Sequence, residues 1–180
     1  MKELKNSKTF DNLFTALVGE SLAATKYDWF SQQAKKDGYV QISDIFKNTA
    51  DNERAHGKLW FEFLNDEKIP DTKTNLSVAV EGEHYEWSAM YKEFAETAKQ
   101  EGFYDIAEKM SGVAAIEAEH EARYKQLLQN IENSQVFSRD SQQYWICQNC
   151  GHIHYGVSAP AVCPVCTHTK AYFEIKAENY

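Results

Sequence analysis

Residues 53–56 read Glu-Arg-Ala-His, and residues 117–120 read Glu-Ala-Glu-His. Residues three apart on a helix project to the same side, about one turn along. Glu53 and His56 can therefore offer an oxygen and an imidazole nitrogen to one centre, and Glu117 with His120 can do the same. Both pairs fall inside an apolar stripe instead of opposite it: Glu53 and His56 between Thr49 and Trp60, Glu117 and His120 between Val113 and Tyr124.

Around these pairs, the 3.6-residue period predicts four helices within residues 1–131. The first carries Phe10, Leu13, Leu17, Ala24 and Tyr27 and stops at Asp37-Gly38. The second carries Ile42, Ile45, Phe46, Thr49, Trp60 and Leu64. The third carries Leu76, Val80, Trp87, Met90 and Phe94 and ends at Glu101-Gly102. The fourth carries Ile106, Met110, Val113, Tyr124, Leu127 and Ile131. Glu20 interrupts the first stripe, and Glu83 with Glu86 interrupts the third, so every helix turns an acid or a histidine into its own core face. Short turns at Gly38 and Gly102 predict two antiparallel hairpins. Between them, Asn65 to Asn75 could reach about 36–40 Å if extended, against about 37 Å for the second helix. That is enough for one long crossover, the ferritin-like arrangement; an up-down bundle with a slack loop satisfies the same lengths.

Glu20, Glu53, Glu83, Glu86 and Glu117 would place five negative charges in one core. Burying even one unpaired carboxylate costs several kcal/mol, whereas two divalent cations would offset most of the charge. Carboxylate oxygen with some imidazole suits iron or manganese. A Glu and a His three residues apart is by itself a weak signal, since 27 acidic residues generate such spacings by chance. Ligand types at matching depth on four helices are a specific one, and match the bundle pattern in which two helices give a Glu and two give Glu-x-x-His. Arg54 and Lys58 flank the second helix's pair but are turned away from its stripe.

The 180-residue chain carries 27 acidic and 19 basic side chains, a formal net charge of −8. That balance argues against nucleic acid as the main partner. No run of about 18 apolar residues predicts a membrane span, and MKELKNSKTFDNLFT at the start has no apolar core of a secretory signal. All four cysteines cluster as Cys147-Gln-Asn-Cys150 and Cys163-Pro-Val-Cys166, which favours metal binding in a reducing, cytoplasmic setting over disulfide staples.

Residues 132–143, ENSQVFSRDSQQ, are polar without an apolar stripe and read as a linker. Residues 144–180 form a second domain too small to build much core, so metal would supply folding energy. Two C-x-x-C knuckles give a tetrahedral four-sulfur site, suited to zinc or to a single iron. Tyr144, Trp145, Ile153, Tyr155 and Phe173 are the expected packing around it. His152, His154 and His168 read as surface or supporting residues, because four thiolates fill the site.

These residues together resemble the rubrerythrin family over essentially the whole length. The resemblance rests on Glu20, the run from Asp51 to His56, the run from Glu81 to Trp87, Met90-Tyr91, the run from Glu117 to Glu121, and Cys147, Cys150, Gly151, Ala159-Pro160, Cys163 and Cys166. His84 stands where asparagine is expected, and His152 where tyrosine is frequent. The resemblance implies a mainly α chain: a ferritin-like four-helix bundle followed by a small rubredoxin-like domain. It implies di-iron ligands Glu20, Glu53, His56, Glu83, Glu86, Glu117 and His120, with His56 and Glu86 exchanging at one iron between redox states. Tyr27 and Tyr91 would hydrogen-bond the carboxylates. The implied activity is reduction of hydrogen peroxide to water, in defence against oxidative stress. Electrons would return through one iron at the four cysteines, from NAD(P)H by way of a separate reductase or rubredoxin-type protein. A homodimer would let one subunit's module approach the other's bundle. The rival readings are a ferroxidase that handles iron as substrate, and a structural bundle with a zinc-ribbon module.

Overall fold

A computed structural model describes residues 4–178. The chain divides into two compact units between Pro70 and Asp71, inside the segment expected as one helical domain.

The first unit is a helical hairpin. α1 spans Lys8–Lys36 and starts where the Ser7 side chain accepts from the Phe10 N–H at 3.1 Å, satisfying one of the donors a helix start leaves open. Gly38 turns the chain at φ +88°, a backbone region that costs an L side chain strain but not glycine. α2 then spans Val40–Leu64. The seam is closed by small residues: Ala24, Ala34, Ser43, Ala50 and Gly57 are buried, and Ser31 and Ser43 hydroxyls meet at 3.0 Å. Phe14, Val18 and Leu22 of α1, with Ile42, Ile45 and Phe63 of α2, stay exposed.

The link between α2 and α3 is shorter than the expected Asn65 to Asn75. α2 ends at Leu64 and α3 starts at Thr72, because the Asp71 side chain caps α3 by accepting from the Thr74 N–H at 2.8 Å. The connection is Asn65 to Asp71.

In the second unit the expected third helix is not continuous. α3 spans Thr72–Tyr85, a π-helical turn covers Glu86–Met90, and α4 continues over Tyr91–Gln100. After a turn at Gly102 (φ +87°), α5 runs over Tyr104–Glu132 and packs on both, with Ala95, Ala98 and Ala107 buried.

The expected linker is also partly structured. β1 spans Ser138–Cys147, β2 Ile153–Ser158 and β3 Phe173–Ile175, in an antiparallel sheet of order β2-β1-β3. The register sets Trp145 opposite His154 and Cys147 opposite Phe173, with an irregularity between Ser138 and Gln143. The polar run 138–143 looked like linker because its register with β2 is interrupted between Ser138 and Gln143 and Asp140, Ser141 and Gln142 are exposed. Trp145, Cys147, Ala159, Cys163 and Phe173 form the core. Tyr144, Ile153 and Tyr155 are exposed instead. Side chains alternate along a strand, so burying Trp145 turns Tyr144 outward, where it meets Tyr155 with ring centroids 4.7 Å apart.

Candidate metal centres

The first unit gathers Glu20 from α1 with Glu53 and His56 from α2. Their donor atoms all lie within 4.8 Å of one another. His56 Nδ1 is 2.9 Å from Glu53 Oε2 and 3.9 Å from Glu20 Oε1. The neighbouring cations are engaged elsewhere: Arg54 pairs with Asp28 and Asp51, and Lys58 with Glu62. A groove of about 360 Å³, lined by Leu17, Ser21, Ala24, Gly57 and Phe61, reaches Glu53.

The second unit repeats the same set of donors. Glu83 of α3 joins Glu117 and His120 of α5, again within 4.8 Å. His120 Nδ1 is 2.6 Å from Glu117 Oε2 and 3.8 Å from Glu83 Oε2. Desolvation holds the Glu83 carboxyl above its ordinary range; a hydrogen bond with Glu117 and the nearby charges of Glu117 and Glu86 push the same way, against His120. Among the described residues no lysine or arginine forms an ion pair with any of the six triad residues.

Six of the seven bundle ligands expected from sequence thus fall into two triads of identical composition. Glu86 stands outside both, at the first residue of the π turn. Neither Tyr27 nor Tyr91 hydrogen-bonds a triad carboxylate among the described residues. The Tyr27 ring lies 6.1 Å from Phe30 and 6.0 Å from Phe46, and the Tyr91 ring 6.4 Å from Phe94.

The third cluster is Cys147, Cys150, Cys163 and Cys166. The sulfurs of Cys147 and Cys166 are 3.6 Å apart, as are those of Cys150 and Cys163. A tetrahedral ion with bonds of about 2.3 Å needs edges of about 3.8 Å, close to these two separations, and all four sulfurs lie within 4.8 Å of one another. The thiols differ in acidity. The His168 backbone N–H, with hydrogen bonds from Cys150, Cys163 and Asn149, lowers Cys166 to about 5 against the effect of desolvation. At Cys150 the His152 N–H also lowers the value, but desolvation and hydrogen bonds with Cys166, Cys163 and Cys147 outweigh it and raise the thiol to about 12.

The rubrerythrin family model matches residues 11–128, and the model of the rubrerythrin rubredoxin-like domain matches residues 145–174. The chain belongs to the rubrerythrin family. It is similar to rubrerythrin-1 of Clostridium acetobutylicum, at 48% identity over the whole of both chains. The rubrerythrins of Nitratidesulfovibrio vulgaris and Clostridium perfringens are each 44% identical, again over the whole of both chains. As a rubrerythrin the chain is mainly helical, of the ferritin-like class, with a small C-terminal sheet domain, and has a di-iron carboxylate site and a four-cysteine rubredoxin-like site.

The residues present fit those metals. Each triad gathers two carboxylates without a lysine or arginine, an arrangement that bound cations complete. What the rubrerythrin motifs did not disclose is how the second triad is braced. Glu121, buried on α5, accepts from the Trp87 Nε1–H at 2.6 Å and lies 3.0 Å from His84 Nδ1. Lys125 and Trp87 hold its carboxyl below the ordinary range. Its only signal in the sequence was its place in the run that ends with it.

Proposed function

We propose that this rubrerythrin reduces hydrogen peroxide to water at the di-iron site and is re-reduced through iron at the four cysteines. The balance is one peroxide, two electrons and two protons to two waters. In this reading Glu20, Glu53, His56, Glu83, Glu86, Glu117 and His120 would hold the iron pair, with His56 and Glu86 serving alternative redox states. Electrons come from NAD(P)H through a separate reductase or rubredoxin-type protein.

The observation that carries the reading is the pairing, in one chain, of two carboxylate–histidine triads with a preformed four-thiolate tetrahedron. Oxygen and nitrogen donors suit an iron that meets an oxidant, and four thiolates suit an iron that relays single electrons. A ferroxidase receives electrons from incoming iron and needs no such relay.

When bound, the iron pair supplies the electrons that break the O–O bond. The protein's part is to gather donors and admit the oxidant. Glu53 and Glu117, each one turn before its histidine, hold His56 and His120 beside the carboxylates. The groove at Glu53 is large against the roughly 30 Å³ share of a water molecule, which leaves room for a small polar oxidant beside that carboxylate. The exposed apolar residues of α1 and α2 support pairing of two chains as a homodimer, and four unbridged cysteines support a reducing, cytoplasmic setting.

The test is competition between oxidants. Fully reduced protein is mixed anaerobically with one equivalent of hydrogen peroxide, or separately with dioxygen, and reoxidation is followed at the thiolate–iron band. Peroxide should act at least ten times faster. Faster reaction with dioxygen, accompanied by net uptake of added ferrous iron, would make the protein a ferroxidase.

A further inference from the structure

Glu121 is an outlier among the charged residues. The buried polar and charged side chains among the described residues are Ser43 and Glu121, and Glu121 is only 5% exposed. It follows His120 directly, yet one residue along a helix turns a side chain by about 100°, so it leaves the triad and points toward α3. Both of its oxygens are engaged. Oε2 accepts from the Trp87 Nε1–H at 2.6 Å. Oε1 lies 3.0 Å from His84 Nδ1 and 2.5 Å from Lys125 Nζ. The His84 ring stands edge-on to Trp87 at 5.4 Å and 88°, and Lys92 Nζ lies 5.1 Å from the centre of the Trp87 ring.

The places of the two partners in the chain decide what this clamp does. His84 directly follows Glu83, and Trp87 directly follows Glu86. The helix changes from α to π between them, at Glu86. A π turn inserts about one extra residue and so rotates the residues beyond it by about 100° relative to an α path. Glu86 itself keeps helical φ and ψ of −61° and −49°, and its N–H bonds back to Gly82, so it stands at the α-helical angle to Glu83 only while the turn begins no earlier. A π turn is rare without a specific reason. A hydrogen bond to an ionised carboxylate is about twice as strong as a neutral one, and here it is sheltered from solvent.

We infer that Glu121 is a positioning residue for the metal site: by gripping His84 and Trp87 it pins the start of the π turn and fixes the angle at which Glu86 stands beside Glu83. This rests on the reading of Glu83 and Glu86 as ligands. Glu121 itself touches no metal. Its effect reaches the site through backbone phase, much as hydrogen-bonded partners outside a coordination sphere set ligand orientation and metal affinity.

A purely structural role predicts something different: a less stable helix pair that still binds metal normally. The experiment uses the full chain with iron retained at the four cysteines and the carboxylate sites emptied. It is titrated anaerobically with cobalt(II), reading stoichiometry and the visible ligand-field spectrum, beside thermal unfolding of the same metal-free samples. Wild type should take up two equivalents. Glu121→Leu and Trp87→Phe should each weaken one of the two equivalents about ten- to hundredfold and change the spectrum of that ion. Glu121→Gln keeps an oxygen to accept from Trp87 and should stay within about threefold of wild type. The Glu121→Leu/Trp87→Phe double variant should be no weaker than Glu121→Leu alone, because both remove one interaction.

Unchanged affinity and spectrum in Trp87→Phe and Glu121→Leu, with only a lower melting temperature, would overturn the inference. So would a Glu121→Gln variant as weak as Glu121→Leu. A wild-type chain that binds fewer than two ions would overturn the ligand reading first, and this inference with it.

Discussion

His120 Nδ1 lies 2.6 Å from Glu117 Oε2, one helical turn earlier on α5. The same contact recurs on α2, where His56 Nδ1 is 2.9 Å from Glu53 Oε2. In each case a third donor comes from a second helix, Glu83 or Glu20, at just under 4 Å. The two triads are therefore the same small device built twice, and they differ chiefly in what surrounds them.

That difference appears in the acidity of Glu83. Its carboxyl is raised by desolvation and by its contact with Glu117. A carboxyl raised on folding binds its proton more tightly in the native state than in the unfolded chain. Its cost to the metal-free protein is absent well below 4.5, builds as pH rises from there toward the raised native value, and is complete above it. Glu83→Gln should therefore stabilise the metal-free protein modestly at pH 7, with the gain vanishing near pH 3. The same variant should lose one metal equivalent. Thermal melts across pH, with and without metal, check both halves.

The thiols of the metal-free cysteine module should react unequally. With Cys166 lowered to about 5 and Cys150 raised to about 12, the thiolate at pH 7 sits mainly on Cys166. Brief alkylation of metal-free protein at pH 7, read by peptide mass spectrometry, should mark Cys166 first and spare Cys150. Labelling of Cys166 should fall as pH drops through about 5. Prior loading with metal should protect both.

The sheet module should depend on one side chain and on its metal. Trp145 is fully buried, and its Nε1–H donates to the Gly156 carbonyl at 3.0 Å; the rest of that core is small apart from Phe173. Trp145→Ala should cost about 3–5 kcal/mol, enough to unfold so small a module. The visible thiolate–iron band should disappear while the helical circular dichroism persists. Chelating the metal from unaltered protein should have the same selective effect.

The turn glycines carry a smaller and separable load. Gly38 and Gly102 sit at φ +88° and +87°, with open space around a would-be Cβ. Ala at either position meets no clash, only backbone strain, and should cost about 1–2 kcal/mol without altering metal stoichiometry. Denaturant titration beside metal analysis tests this.

Much of this was legible in the sequence because it depends on period and spacing. The stripes interrupted by Glu20, Glu53, Glu83 and Glu117 gave the helices and triads, and the two C-x-x-C pairs gave the thiolate tetrahedron. What was not legible depends on contacts between segments. The π turn at Glu86 leaves no mark in a 3.6-residue pattern, since one added residue only shifts the phase of the stripe around Trp87. The Asp71 cap shortened the link after α2 by starting α3 before Leu76, the first apolar residue counted there. Glu121 stood in the sequence only as the end of the run from Glu117; its engagement with Trp87 and His84, thirty-odd residues away, is a contact between helices. Strand alternation put Tyr144 outside although its aromatic character suggested core.

Peroxide reduction at a carboxylate-bound iron pair served by a thiolate-bound iron leaves a signature that one experiment reads. Metal content and the visible spectrum are measured on anaerobically purified, fully reduced protein, before and after one equivalent of hydrogen peroxide. About three irons per chain are expected, with a colourless reduced form and prompt return of the red thiolate–iron colour on adding peroxide. One zinc per chain, with no colour before or after, would contradict that chemistry and leave a structural bundle carrying a zinc ribbon.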